Sequence, residues 1–175
     1  NVLVCVHGLS RNRLDFDTIA AALSDHYRVI SVDMPGRGNS DWMPNAEDYN
    51  FGFFQSIIAS VIAVSGAASI DWIGTSMGGI MGMDVSCRTG SPIRRRMLND
   101  SGPFINGASR VANAGLADSA TTFETEGEAV QFVLETRKTF GPCTAGGAQK
   151  FALDSLVRSV EGKWRMHYDP RITQG

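Results

Sequence analysis

Short apolar runs alternate with amphipathic ones along residues 1–100, and this rhythm restricts the fold more than any other feature. VLVCV (residues 2–6) is unbroken apolar sequence closed by Gly8. Such a run suits a strand buried on both faces. LDFDTIAAALSDHY (14–27) sets Phe16, Ile19, Ala20 and Leu23 at helical spacing, with Asp15 and Asp17 near the positive N-terminal end. RVISVD (28–33) predicts a second buried strand, closed by the turn MPGRGNSD. FGFFQSIIASVIAVSGA (51–67) predicts a long helix ending near Gly66. SIDWIGT is a third strand, MGGIMGMDVSCRTG a helix stopped at Gly90, and IRRRMLND a fourth strand. Strands and helices in alternation, with short connections, predict an α/β fold: a parallel sheet with helices on both faces.

From Ser101 the rhythm changes. Residues 106–117, 125–141 and 144–160 predict three successive helices. Thr125 and Glu128 form a capping-box pattern, and Thr144 is a second candidate N-cap. KWRMHY predicts a short extended segment before DPRI. The division expected is a core over residues 1–103, a helical cap insertion over 104–170, and the start of a further core segment at 171–175.

One motif carries chemistry. Gly74-Thr75-Ser76-Met77-Gly78 fits G-x-S-x-G where an apolar strand meets a helix. A bare G-x-S-x-G is weak, because a serine packed in a glycine turn gives the same letters. A strand–turn–helix setting is what a nucleophile elbow requires. The sharp turn would hold the Ser76 hydroxyl out at the carboxyl end of the sheet, and glycines at 74 and 78 remove β-carbons that would clash. HGLSRN follows the first strand, so its backbone should lie beside the elbow. An oxyanion hole needs two convergent N–H groups, one from the residue after the nucleophile and one from such a loop. Met77 supplies the first by position, and Leu9 is the candidate for the second.

Taken in order, VCVHGLSRN, VDMPGRGNSD, WIGTSMGG and LNDSGP resemble the α/β-hydrolase superfamily across residues 1–103. The resemblance implies the third to sixth strands of that fold, in sheet order 4-3-5-6 by the family's naming. The later helices resemble the cap that follows the sixth strand, and MHYDPRI is similar to the tail of such a cap in bacterial esterase-like members. The family also has two strands before this region and two after the cap, with the triad histidine beyond the last strand. The sequence, which opens on Asn1 directly before a strand, is therefore expected to be a fragment. Without that histidine and with bare sheet edges, the isolated chain is expected to be nearly inactive and poorly folded.

Other candidates weigh less. Ser76, Asp100 and His167 occur in the chain order of a triad, and some family members carry the acid where Asp100 stands. Asp100 as a structural residue at the cap entrance, and His167 as a packing or cleft-lining residue, are the competing readings. His7, before Gly8, is expected to order its loop. Asp33 and PGRGNSD read as a structural turn. Arg11 and Asn12 are candidates to meet a polar or carboxylate group of the substrate, or ordinary loop residues. Cys5 and Cys87 read as buried small hydrophobes.

Composition closes off other classes. Hydrophobic residues make up 43% and charged residues 19%, enough for a core, and the net charge of −2 offers no footprint for nucleic acid or an anionic membrane. Three unpatterned cysteines suggest a reducing, cytoplasmic setting. No metal-ligand spacing is visible and no cofactor is expected. Gly36 and Gly38 begin a dinucleotide fingerprint that fails at Asp41. The expectation is a serine hydrolase that cleaves a small carboxylic ester through an acyl-enzyme on Ser76. The alternatives are a C–C bond hydrolase, lactonase or cofactor-free haloperoxidase of the same fold, or a non-catalytic ligand-binding relative.

Overall fold

Strand β1 (Val2–Val6) is buried at every position, because other strands flank it on both sides and helices pack on both of its faces. It pairs in parallel with β2 (Arg28–Val32) and with β3 (Ile70–Thr75), and β3 pairs in parallel with β4 (Ile93–Asn99). The order β2-β1-β3-β4 is the one the sequence implied. The computed structural model describes residues 1–103, 121–138, 140 and 144–174.

Alternation along β1 sends its side chains into two cores. Val2, Val4 and Val6 join Phe54 and Ile58 of α2 (Phe51–Ser65) and Met81 of α3 (Met77–Ser86). Leu3 and Cys5 face Phe16, with Ile19 and Leu23 of α1 (Asp17–Leu23) packed around them. Helices therefore cover both faces. Asn50 caps α2 by accepting from Phe53 N, and Gly66 ends it in the left-handed conformation. β2, expected to be buried, is an edge strand and only half-buried, while β4 along the other edge is largely exposed. Each edge strand has one hydrogen-bonded neighbour where β1 and β3 have two.

Beyond the core, α4 (Glu126–Thr136) begins at the expected capping box, with Thr125 and Glu128 each bonding the other's backbone N–H. Helix α5 (Ala145–Asp154) begins at Thr144. Its end differs from the expectation of one helix through residue 160. The helix stops at Asp154, and Leu156–Arg158 forms β6, antiparallel to β7 (Trp164–Met166). A turn closed by Gly162 N–H on Ser159 O, with Gly162 at φ 85°, reverses the chain. Strand β5 (Thr122–Phe123) pairs on the other side of β7. The expected helix over 106–117, and with it Phe104 as a pocket wall and Cys143, lies outside the described residues.

Residues 167–169 return to the core and join the turn at residues 36–38. Gly38 N–H donates to His167 O (2.9 Å) and Asp169 N–H to Gly36 O (2.8 Å). Tyr49 OH donates to the fully buried Asp169 carboxylate (2.6 Å), which also holds the Arg171 guanidinium (2.7 Å). Burial and this bond push the Tyr49 phenol up to about 12.

Candidate active site

Ser76 is held at φ 49°, ψ −111°, a conformation that L-residues avoid. Its N–H still pairs in the sheet, donating to Asn99 O (2.9 Å), and its carbonyl already accepts from Ile80 N–H in α3 (3.0 Å). The chain thus passes from strand to helix within one residue, and that residue takes the strain. Close backbone approach around it demands glycine. A β-carbon at Gly74 would stand 2.3 Å from Gly78 O, and one at Gly78 would stand 2.1 Å from Val6 O. Ser101 Oγ donates to Ser76 O (3.0 Å) and braces the turn from the end of β4. Ser76 Oγ itself makes no hydrogen bond among the described residues and stays half-buried at the carboxyl edge of the sheet.

The loop after β1 lies against this turn, where a β-carbon on Gly8 would meet Ser76 Cβ at 3.6 Å. His7 is fully buried. Its Nε2 accepts from Met34 N–H (3.0 Å), so the ring proton sits on Nδ1, which donates to Gly8 O (2.7 Å). Desolvation pushes its pKa down to about 4 and keeps the ring neutral. Both ring nitrogens are thus committed to ordering the loop. Gly8 O also accepts from Arg11 N–H (3.1 Å). Across a planar trans peptide, the Leu9 N–H must point away from a carbonyl fixed in this way. Neither Leu9 N–H nor Met77 N–H has an acceptor among the described residues.

Arg11 and Asn12, candidates for substrate contact, are turned elsewhere and are both buried. Arg11 ion-pairs with Asp15, donates to Ser155 Oγ and stacks on the Phe151 ring at 3.6 Å. Asn12 caps the turn through Leu14 N–H and donates to Asp154 O (2.6 Å). Their task is to fasten the loop to the end of α5. Asp33 has the expected structural role, accepting from Arg13 N–H (2.7 Å) and Asn39 N–H (3.0 Å). Cys5 is buried, with its thiol pushed up to about 11 by desolvation, but Cys87 is exposed because it lies just past the last turn of α3.

Asp100 follows β4 at φ 50°, is exposed, and makes no side-chain hydrogen bond among the described residues. His167 is half-buried, its pKa lowered first by burial, and it feels Asp33 and Arg13 through space. No hydrogen bond joins Ser76, Asp100 and His167, so the structure does not bring these three together as a bonded triad.

Sequence reading passed over Arg37. Gly36 (φ 79°) and Gly38 (φ 55°) place it in a turn that drives its side chain inward to complete burial. Its Nε donates to Leu9 O (2.9 Å) and one terminal nitrogen to Pro35 O (2.6 Å). The other terminal nitrogen lies 4.0 Å from Met77 Sδ.

Residues 1–160 match the family model described as alpha/beta hydrolase fold. The chain belongs to the α/β hydrolase family. This α/β hydrolase chain is 37% identical to the 3-hydroxybutyrate-oligomer hydrolase of Cupriavidus necator, an alignment covering 98% of the chain and 59% of that enzyme. It is 37% identical to the pimeloyl-[acyl-carrier protein] methyl ester esterase of Vibrio cholerae over 45% of the chain and 28% of that enzyme. A solved structure from Rickettsia typhi superposes with a TM-score of 0.91 at 29% identity, covering 100% of the chain and 62% of that structure. The chain thus spans about 60% of the length of the relatives it matches end to end. Among the described residues, no group of His, Cys, Asp and Glu could hold a metal, and no helix is long and apolar enough to cross a membrane.

Proposed function

We propose that this chain carries the nucleophile and oxyanion-hole part of a serine esterase. The observation that carries the reading is Ser76, strained at φ 49° between strand and helix, with two amides, Met77 and Leu9, on the segments beside it that have no acceptor among the described residues. Ser76 Oγ attacks the ester carbonyl. The carbonyl oxygen becomes an oxyanion held by the two N–H groups, the alcohol leaves, and water releases the acyl group from Ser76.

The base is a histidine from outside residues 1–175. His7 has both ring nitrogens engaged, His26 is exposed at the end of α1, and His167 has no bond to Ser76. The acid that orients the base is either Asp100 or a residue outside this range. In this reading the described segments 121–138 and 144–170 belong to a lid that shapes the pocket over Ser76.

For the substrate we propose a short linear ester of a hydroxyalkanoic acid. The similarity to the Cupriavidus enzyme supports this, since it runs through nearly the whole chain. The test uses the full-length protein with 3-hydroxybutyrate dimers and trimers and with p-nitrophenyl acetate. Turnover of the oligomers and fluorophosphonate labelling, both lost in Ser76→Ala, are expected. Turnover that survives Ser76→Ala would overturn the assignment of Ser76. Hydrolysis of p-nitrophenyl acetate without the oligomers would leave the esterase and reject the substrate class.

A further inference from the structure

Arg37 is the largest charged side chain that is completely buried among the described residues, at 0% exposure, and no carboxylate among them makes an ion pair with it. Asp169 acts on it through space but is already bound to Arg171 and Tyr49. The guanidinium lies over the Phe54 ring at 4.9 Å and the Tyr49 ring at 5.6 Å. Burial lowers its pKa only to about 10, so it is charged at neutral pH. A buried cation without a salt-bridge partner is costly, and its contacts show where the cost is offset.

Those contacts reach both residues whose amides remain unpaired. Nε donates to Leu9 O, on the peptide that follows the Leu9 N–H, and a terminal nitrogen rests against the Met77 side chain. His7 and the Arg11 amide fix the peptide before Leu9 by holding Gly8 O. Arg37 fixes the one after it. With both neighbouring peptide planes pinned, the direction of the Leu9 N–H is fixed.

We propose that Arg37 is a positioning residue for the oxyanion hole, locking the Leu9 backbone and setting a buried positive charge behind the two amide donors. The inference rests on the reading of Ser76, Leu9 and Met77 given above. The oxyanion carries a negative charge that the ester carbonyl lacks, so a positive charge behind the amides favours it over the bound substrate. Arg37 therefore acts on the transition state more than on substrate binding.

The test compares full-length wild type, Arg37→Met, Arg37→Lys and Ser76→Ala, with rates normalised to sites titrated by fluorophosphonate where Ser76 is present. Ester turnover is measured alongside affinity for a trifluoromethyl ketone, which forms an oxyanion on the serine. Arg37→Met should lose about 10²-fold in kcat, keep KM within about threefold, and bind the ketone about 10²-fold more weakly. Arg37→Lys, which keeps the charge but not the fork, should recover about tenfold of that loss. A normalised kcat equal to wild type, or a loss that falls equally on KM, would overturn the inference. Should Arg37→Met not fold, Arg37→Lys decides alone: a tenfold kcat loss at unchanged KM supports positioning, and full activity refutes it. Turnover that persists in Ser76→Ala would instead sink the esterase reading and leave the geometry of Arg37 without its reaction.

Discussion

Gly78 lies against Val6 so closely that a β-carbon on it would stand 2.1 Å from the Val6 carbonyl oxygen. The contact joins the first turn of α3 to the central strand and sets how near the elbow comes to the loop after β1. Backbone atoms cannot yield as a flexible side chain can. Gly78→Ala should therefore cost about 3 kcal/mol or more and lower activity by moving Met77 away from the loop. Denaturant unfolding of the full-length variant checks this; an unchanged midpoint would show that the helix can retreat freely.

Ser76 should show the opposite balance. A non-glycine residue at its φ and ψ costs on the order of 1–3 kcal/mol, which glycine does not pay. Ser76→Gly should raise the melting temperature while abolishing turnover, and Ser76→Ala should abolish turnover without the gain. Thermal melts of the two variants side by side read the strain directly.

His7 makes stability depend on pH. Its folded pKa, about 4, lies below the ordinary histidine value, so the unfolded chain binds the proton more readily. Its contribution is fully present above about pH 6.5 and falls away as pH drops toward 4, a loss of about 3 kcal/mol. His167 shifts in the same direction. Unfolding free energies at pH 7 and 4.5 should differ more with His7 present than in His7→Gln, both measured in a His167→Gln background to remove the second group; an equal difference would show that His7 carries no pH dependence.

Asn12 links two distant segments, capping its own turn and reaching Asp154 O. Asn12→Ala should cost about 1–2 kcal/mol through the lost cap and the unpaired carbonyl. Hydrogen exchange should quicken at the C-terminal end of α5 as well as around Leu14. An effect confined to Leu14 would show that the Asp154 bond carries no weight.

The elbow was legible because its requirements are local: a strand, a serine between two spaced glycines, and a helix, all within the span of residues 70–86. Sheet order was legible through resemblance, and the Thr125 and Thr144 caps through side-chain chemistry three residues long. Contacts between distant segments were not. Arg37 lies 28 positions from Leu9, and nothing in PGRG says that the cation turns inward instead of meeting water. Arg11 and Asn12 could be read only as substrate contacts or ordinary loop residues, because their partners, Ser155 and Asp154, are more than 140 positions away. β7 falls within KWRMHY, read as extended, but its partner β6 was missed, because a strand of three residues carries almost no periodicity and Leu156 and Val157 continue the helical pattern of α5.

Residues 167–169 rejoin the turn at residues 36–38, a few residues from the loop that Arg37 fixes at Leu9. The chain therefore leaves the core after Ser101, whose hydroxyl bonds Ser76 O, and rejoins it beside the turn that carries Arg37. Arg11 and Asn12 tie the same segment to the core at a third place, Ser155 and Asp154, so its described part is coupled to the loop that carries Leu9 and cannot be altered in isolation from it.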